Sequence, residues 1–278
     1  MAIRIRGKIR TISPYYCSWK PGEGWLDVNI TTAARPGSLG YQLSPMFVGP
    51  VDIPGVPGVQ ATNIESAWQY SKVYERVMDG NGVEHRHIDG RITLNPTEEW
   101  WAFAKAGWSC PQFSPGHPDF KRYKGILRHP VCRPPKAQEK ISPTFVWWNG
   151  ERLSYLEGRQ KVYGKLYTEM IVHTAAFREL KSRYDAGENI SLFDFDGTDH
   201  VGLGRTFEEL MNDPGRPFGH GLLLVMLLEG RRLEDLRYEE RNTFAYQRQK
   251  GLLKFHTGCM TQPKPIEVVR TPRKNRGA

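Results

Sequence analysis

The chain has 278 residues, 39% hydrophobic and 25% charged, enough to bury roughly 75% of its unfolded surface without a disulfide or metal staple. Lys and Arg number 39 against 30 Asp and Glu; the net charge of +9 favours a polyanionic partner, nucleic acid or a phosphorylated ligand, through counterion release. The densest apolar run, residues 222–228, cannot span a bilayer and the first ten residues lack a signal-peptide core, which predicts a soluble cytoplasmic protein with no membrane partner.

In chain order, Ile3, Ile5 and Ile9 alternate with Arg4, Arg6, Lys8 and Arg10. A strand here buries the isoleucines and sets four cations on one face, a candidate DNA contact. Residues 1–60 read as strands and loops, with turn formers at Lys20-Pro-Gly-Glu-Gly, Arg35-Pro-Gly-Ser and Asp52-Ile-Pro-Gly-Val-Pro-Gly. The last of these is similar to the glycine hairpin between DNA-binding helices, but its two prolines and the want of a preceding helix speak against that reading. Thr62-Asn63-Ile64-Glu65 fits a capping box, and helix-compatible sequence runs to about Met78 before Asp79-Gly-Asn-Gly stops it. A second helix begins at Asn95-Pro96-Thr97-Glu98, with proline at its first position, and ends near Gly107.

Residues 108–143, rich in Pro, Gly and His, read as a long irregular insertion that is either functional or disordered. Its cations include Lys121, Arg122, Lys124, Arg128, Arg133 and Lys136, and the first three are further DNA-contact candidates. A helical pattern runs from Gly150 to about Tyr184 with a break near His173-Thr174, and Ile190-Ser-Leu-Phe-Asp-Phe alternates as a short strand. A short helix covers Phe207 to Met211, and a longer apolar one opens around Gly221. Residues 263–278 form a basic, Pro-rich tail expected to be flexible and suited to phosphate contact. With no internal repeat and no long linker, the expectation is one mainly helical α+β domain with a small sheet over residues 1–262.

The four cysteines, Cys17, Cys110, Cys132 and Cys259, lie far apart, with no CxxC and no Cys/His pair at zinc spacing; they read as free buried thiols. No HExxH helix is present. The expected chemistry is therefore independent of metal, and no cofactor is expected.

At about 100° per residue, Glu65, Gln69, Lys72 and Arg76 fall on one polar stripe of the first helix, with Ala67, Tyr70, Tyr74 and Val77 on the opposite, core-facing side. A solvated face is the plain explanation, with Glu65 serving as the acid of the capping box. Trp68 beside the stripe favours a cleft instead, because a Trp is costly to leave in water. A carboxylate, an amide and an ammonium against an aromatic wall suit a sugar-phosphate ligand.

Glu65-Ser-Ala-Trp-Gln69-Tyr-Ser-Lys72 resembles the Glu-x3-Gln-x2-Lys helix of the NADAR family, the YbiA-like N-glycosidases. Leu43-Ser-Pro-Met-Phe47 resembles the family's approach segment, and residues 159–180 its helical pair. Asp194-Phe-Asp196-Gly-Thr-Asp199-His-Val-Gly202 resembles its Asp-x2-Trp-Gly-x-Gly segment, and Phe218-Gly-His-Gly221-Leu-Leu-Leu its final glycine-led helix. The likeness spans about residues 40–230 with a large insertion. Ser66 stands where the family has His, no Trp precedes Gly202, and the family's aspartate can fall on Asp194, Asp196 or Asp199.

The resemblance implies cleavage of the N-glycosidic bond between base and ribose, on substrates that include ADP-ribosylated nucleobases in DNA, without a cofactor. The oxocarbenium-like transition state needs a nearby carboxylate, and the departing base needs a proton or hydrogen bond. Glu65 and one of Asp194, Asp196 and Asp199 are the candidate catalytic pair; Lys72 would hold phosphate and Gln69 the ribose. In Trp147-Trp148-Asn149-Gly150 one ring is expected in the core and one nearer the surface, where an extruded base could stack; core packing is the simpler role for both. The glycines around His220 allow a backbone to approach a ligand, and a helix starting at Gly221 would favour phosphate, against the plain alternative of a tight turn. The expected activity is a DNA glycosylase-type hydrolysis that extrudes the modified nucleotide from a duplex, a chemistry suited to phage–host conflict. Its rivals are hydrolysis of ADP-ribosyl nucleobases, in DNA or as small compounds, and a basic nucleic-acid-binding protein without catalysis.

Overall fold

Residue alternation at the N-terminus makes an edge strand, β1 (Ile3–Arg6), with Ile3 and Ile5 turned into the core. The computed structural model describes residues 1–7, 21–78, 83–128, 143–195, 197–216 and 218–255. β2 (Trp25–Asn29) follows, then the one-turn α1 (Leu39–Gln42). The Pro/Gly segment after Asp52 closes β3 (Val51–Asp52) on β4 (Gln60–Ala61) as an antiparallel hairpin, not a turn between helices.

α2 (Ile64–Tyr70) is shorter than the helical pattern suggests. Ser71 ends it, its Oγ donating to the Ala67 carbonyl, and the chain continues extended as β5 (Lys72–Val73) and β6 (Arg76–Met78), the latter antiparallel to β7 (Glu84–Arg86). Val73, Tyr74 and Val77 are buried here as they would be on a helix, so apolar spacing could not separate the two outcomes; sheet pairing decided. The cap also differs from expectation. Asn63, not Thr62, is the N-cap, and its reciprocal partner is Ser66, not Glu65. Thr62 instead donates its hydroxyl to the Cys110 carbonyl at 2.8 Å.

α3 (Glu98–Trp108) is capped by Thr97, so Pro96 lies outside it, bridged to Ile88, and is not its first residue. The expected irregular insertion contains a helix, α4 (Phe120–Arg128), whose Phe120 and Leu127 are buried; residues 129–142 lie outside the described residues. Gly150 begins no helix. Asn149 and Gly150, with φ of 51° and 79°, turn β8 (Phe145–Trp148) back into β9 (Glu151–Leu153), the conformation that Asn-Gly favours in a two-residue hairpin.

Helical structure resumes with α5 (Tyr155–Gly158), passes through a π-helical segment over Arg159–Gly164, and continues as α6 (Lys165–Ile171). After the expected break come α7 (Ala175–Asp185), β10 (Asn189–Phe193), α8 (His200–Leu203), α9 (Phe207–Met211), α10 (His220–Leu228) and α11 (Phe244–Gln249).

β10 lies between β1 and β2, parallel to both, with Ile190, Ser191 and Leu192 fully buried. β5, β8 and β9 form an antiparallel sheet. With the two strand pairs, the described residues hold four small sheets where one was expected. Helix outweighs strand, 41% against 15%, so the class is α+β. One apolar cluster joins β1, β10, α2, α3, α6, α7 and α10. α10 is apolar all round because it is covered all round. Trp100, Trp101, Trp108 and Trp147 pack edge-on or tilted against one another, each ring centroid within 4.8 to 6.4 Å of at least one of the others. No helix among the described residues is long and apolar enough to cross a membrane.

Candidate active site

Because Ser66 completes the cap, the Glu65 carboxylate is left for other work. It is 9% exposed and accepts a hydrogen bond from Gln69 Nε2 at 2.8 Å. The amide oxygen of Gln69 in turn accepts from Lys72 Nζ at 2.7 Å. Lys72 lies 4.5 Å from the Trp68 ring centroid and 5.7 Å from that of Tyr155. Carboxylate, amide and ammonium thus form one chain on an aromatic wall, its two charged ends buried and Gln69 half-buried between them, and the stripe is not a solvated face. Its continuation to Arg76 fails, since the helix ends first and Arg76 faces Glu84 at 3.4 Å.

The second acid arrives from more than a hundred residues further along the sequence. Asp194 follows β10, at the edge of the parallel sheet where its strands end, and is 7% exposed. Its carboxylate meets the start of α10: a Cβ placed on Gly221 would lie 3.0 Å from Asp194 Oδ2, so glycine there lets the acid approach the helix N-terminus, whose free N–H groups favour negative charge. His220 Nδ1 is 3.6 Å from the same oxygen, while His220 Nε2 is 3.0 Å from the Ile30 carbonyl. A carbonyl only accepts, so Nε2 carries a proton and Nδ1 is the nitrogen turned to Asp194.

Tyr163 joins the two halves. It sits in the π-helical segment, and burial, with the carboxylates of Glu65 and Asp194 close to its phenol, pushes that phenol well above its usual range. Tyr167 beside it donates to the Leu43 carbonyl at 2.7 Å, and its phenol too is raised, by burial and then by Asp194. Both phenols stay protonated, and Tyr167 is a fixed donor. Single-turn π segments are frequent at functional sites, because the extra residue re-aims a side chain.

The remaining sequence candidates fall elsewhere. Asp199 caps α8, accepting from the Gly202 N–H at 3.2 Å, and its carboxylate pairs with Arg4. Arg6 donates to Asp27, with Nε at 3.0 Å. The expected face of four cations is corrected accordingly: its two described members are each answered by an acid, and Lys8 and Arg10 lie outside the described residues, as do Asp196 and the basic tail. Trp147 belongs to the tryptophan cluster, whereas Trp148 is partly exposed at the hairpin turn. Lys121 and Arg122 are exposed on α4, and Lys124 is half-buried there. Cys110 is a free, buried thiol; the other three cysteines lie outside the described residues. Among the described residues no group of three or more His, Cys, Asp or Glu could hold a metal ion.

Tyr155, Tyr163 and Tyr167 escaped the sequence reading. Their spacing of four and eight residues put them on one helical face, but nothing local distinguished that face from core.

Fold and site together define an α+β protein with two buried carboxylates, well separated in the sequence, acting on one phenol. Compared with family models, curated proteins and solved structures, the chain matches none.

Proposed function

We propose that the protein is an N-glycosidase that cleaves the base–sugar bond of a modified nucleotide in DNA, with a chemistry similar to that of the NADAR family. The observation that carries this reading is the convergence of Glu65 and Asp194 on Tyr163, two carboxylates in different surroundings at one buried place. Glu65, held by Gln69, offers negative charge to an anomeric carbon as it becomes cationic. Lys72 acts on Glu65 through Gln69 and stands beside it as the anion-facing cation. Asp194 and His220 form the pair that can hold and release a proton. In the reaction the C1′–N bond breaks with its electron pair going to the base, the base takes a proton, and water adds its hydroxyl to C1′ and gives up the other proton. Trp68 and Tyr155 wall the site, Gly221 gives Asp194 room at the start of α10, and Trp148 at the hairpin turn is the stacking residue left once Trp147 is assigned to the core.

The same site could act on ADP-ribosylated bases, in DNA or as small ADP-ribose compounds, because the bond cleaved is of the same type. The test is incubation with duplex DNA carrying a modified or ADP-ribosylated base, followed by alkali to reveal abasic sites. Glu65→Gln should lower the cleavage rate about 100-fold or more while binding persists. Full activity in that variant removes Glu65 from the chemistry. The rival of a non-catalytic binder rests on Arg4, Arg6, Lys8, Arg10 and the basic tail, of which Arg4 and Arg6 face acids and the others lie outside the described residues; binding of DNA with no cleavage of any such substrate would favour it.

A further inference from the structure

Resting on the reading of a nucleotide-directed site, we infer that the surface made by Tyr41, Phe47 and the first turn of α4 binds single-stranded DNA next to Glu65, a base stacking on the rings and phosphates meeting the helix. Tyr41 and Phe47 stack with ring centroids 3.7 Å apart and planes 30° apart. Both are partly exposed, and Phe47 rests on the core with Tyr41 outside it. Phe120 continues the row, 5.8 Å from Phe47, and opens α4.

The cations follow at once. Lys121 and Arg122 are exposed, Lys124 lies one turn along from Lys121, and among the described residues neither lysine makes an ion pair or a side-chain hydrogen bond. Arg122 lies over the Tyr123 ring, and Asp119, the acid just before them, faces His117. Among the described residues the two lysines of this turn are thus without an acid partner, unlike Arg4 and Arg6.

The surface adjoins the candidate site by covalent and hydrogen-bonded continuity. The Glu65 N–H donates to the Pro45 carbonyl at 3.3 Å and the Ile64 N–H to the Val48 carbonyl at 2.9 Å. The segment carrying Phe47 thus sits on the first turn of α2, and Phe47 Cα is no more than about 8 Å along the chain from Pro45 Cα. Rings that accept any base face, beside cations that follow a backbone, are the equipment of single-strand binding, and base-paired DNA cannot present a face to them.

The experiment is fluorescence anisotropy of a labelled 20-nucleotide oligo-dT and of a duplex hairpin, with the full chain. Tyr41→Ala should weaken oligo-dT binding by about 5- to 150-fold and leave the hairpin unchanged, while Tyr41→Phe keeps the wild-type affinity. Replacing Lys121, Arg122 and Lys124 together by Ala should flatten the salt slope for oligo-dT by about 2. Unchanged oligo-dT binding by Tyr41→Ala, an unchanged slope, or equal loss on hairpin and single strand each overturns the inference. Because the DNA is unmodified, its binding does not depend on cleavage: oligo-dT bound at this surface without hydrolysis of any substrate would sink the glycosidase reading alone, and hydrolysis with wild-type binding in Tyr41→Ala would sink this one alone.

Discussion

Glu65 and His87 show how differently two buried polar groups can be treated. The Glu65 carboxylate accepts a hydrogen bond from Gln69, whereas both ring nitrogens of His87 are buried beside Phe103 with no hydrogen-bond partner. Burial, and next to it the charge of His85, lowers the His87 pKa to about 3. Below the ordinary value of 6.5 the unfolded chain takes up a proton that the folded chain refuses, so stability is complete above 6.5 and falls as the pH drops toward 3. At pH 5 this one residue should cost about 2 kcal/mol. Urea unfolding at pH 7 and pH 5 checks it: His87→Leu should lose markedly less stability between the two than the wild type, and equal losses would refute the assignment. Steric fit gives a second prediction. A Cβ on Gly107 would lie 1.9 Å from the Tyr70 ring, so Gly107→Ala must push α3 off α2 and should lower stability by about 3 kcal/mol, read from its denaturation midpoint.

Among the elements, the short ones carry the precision. The Asn63–Ser66 cap fixes where α2 begins and so where Glu65 points; Ser66→Ala leaves the buried Asn63 N–H without its acceptor and should cost about 1 kcal/mol, with a larger fractional loss in any activity that depends on Glu65. The β8–β9 turn holds Gly150 at φ 79°, and Gly150→Ala should cost about 1 kcal/mol by the same measurement. How far such detail was legible in the sequence depends on its range. β10, the break before α7, α9 and the start of α10 followed from local pattern, and the Asn149-Gly150 turn carried a signal that a helical reading of the next residues obscured. The end of α2 was hidden because Val73, Tyr74 and Val77 are buried in either conformation. The polar chain from Glu65 to Lys72 was readable at helical spacing, although Lys72 proved to lie just beyond the helix. The difference between Asp194 and Asp199 was not readable, since it rests on which acid α10 and Arg4 each meet in space; Asp196 lies outside the described residues.

For the molecule as a whole, the parallel sheet ties the chain's beginning to its last third. β1 pairs with β10, fills the core with Ile3 and Ile5, and supplies Arg4 to the buried Asp199. Each isoleucine contributes about 1.5–3 kcal/mol, and breaking a buried ion pair on one side costs about 3–5 kcal/mol. Deleting residues 1–7 should therefore remove most of the stability of an ordinary domain, seen as a collapsed or lowered thermal transition. The deletion would also loosen Asp194 from the α10 start, because Asp194 N–H donates to the Arg6 carbonyl at 3.0 Å.

The π-helical segment over Arg159–Gly164 has a consequence for how this chain can vary. Such a segment holds one residue more than an α-helix of the same rise, so loss of a single codon within it would leave a sound helix from Tyr155 to Ile171, keep the flanking turns in register and re-aim only the side chains of the segment itself. Tyr163 would then swing away from both acids while the hydrophobic interior stayed largely filled. Relatives with and without that codon would share a shape and part ways in chemistry, and circular dichroism would not tell them apart.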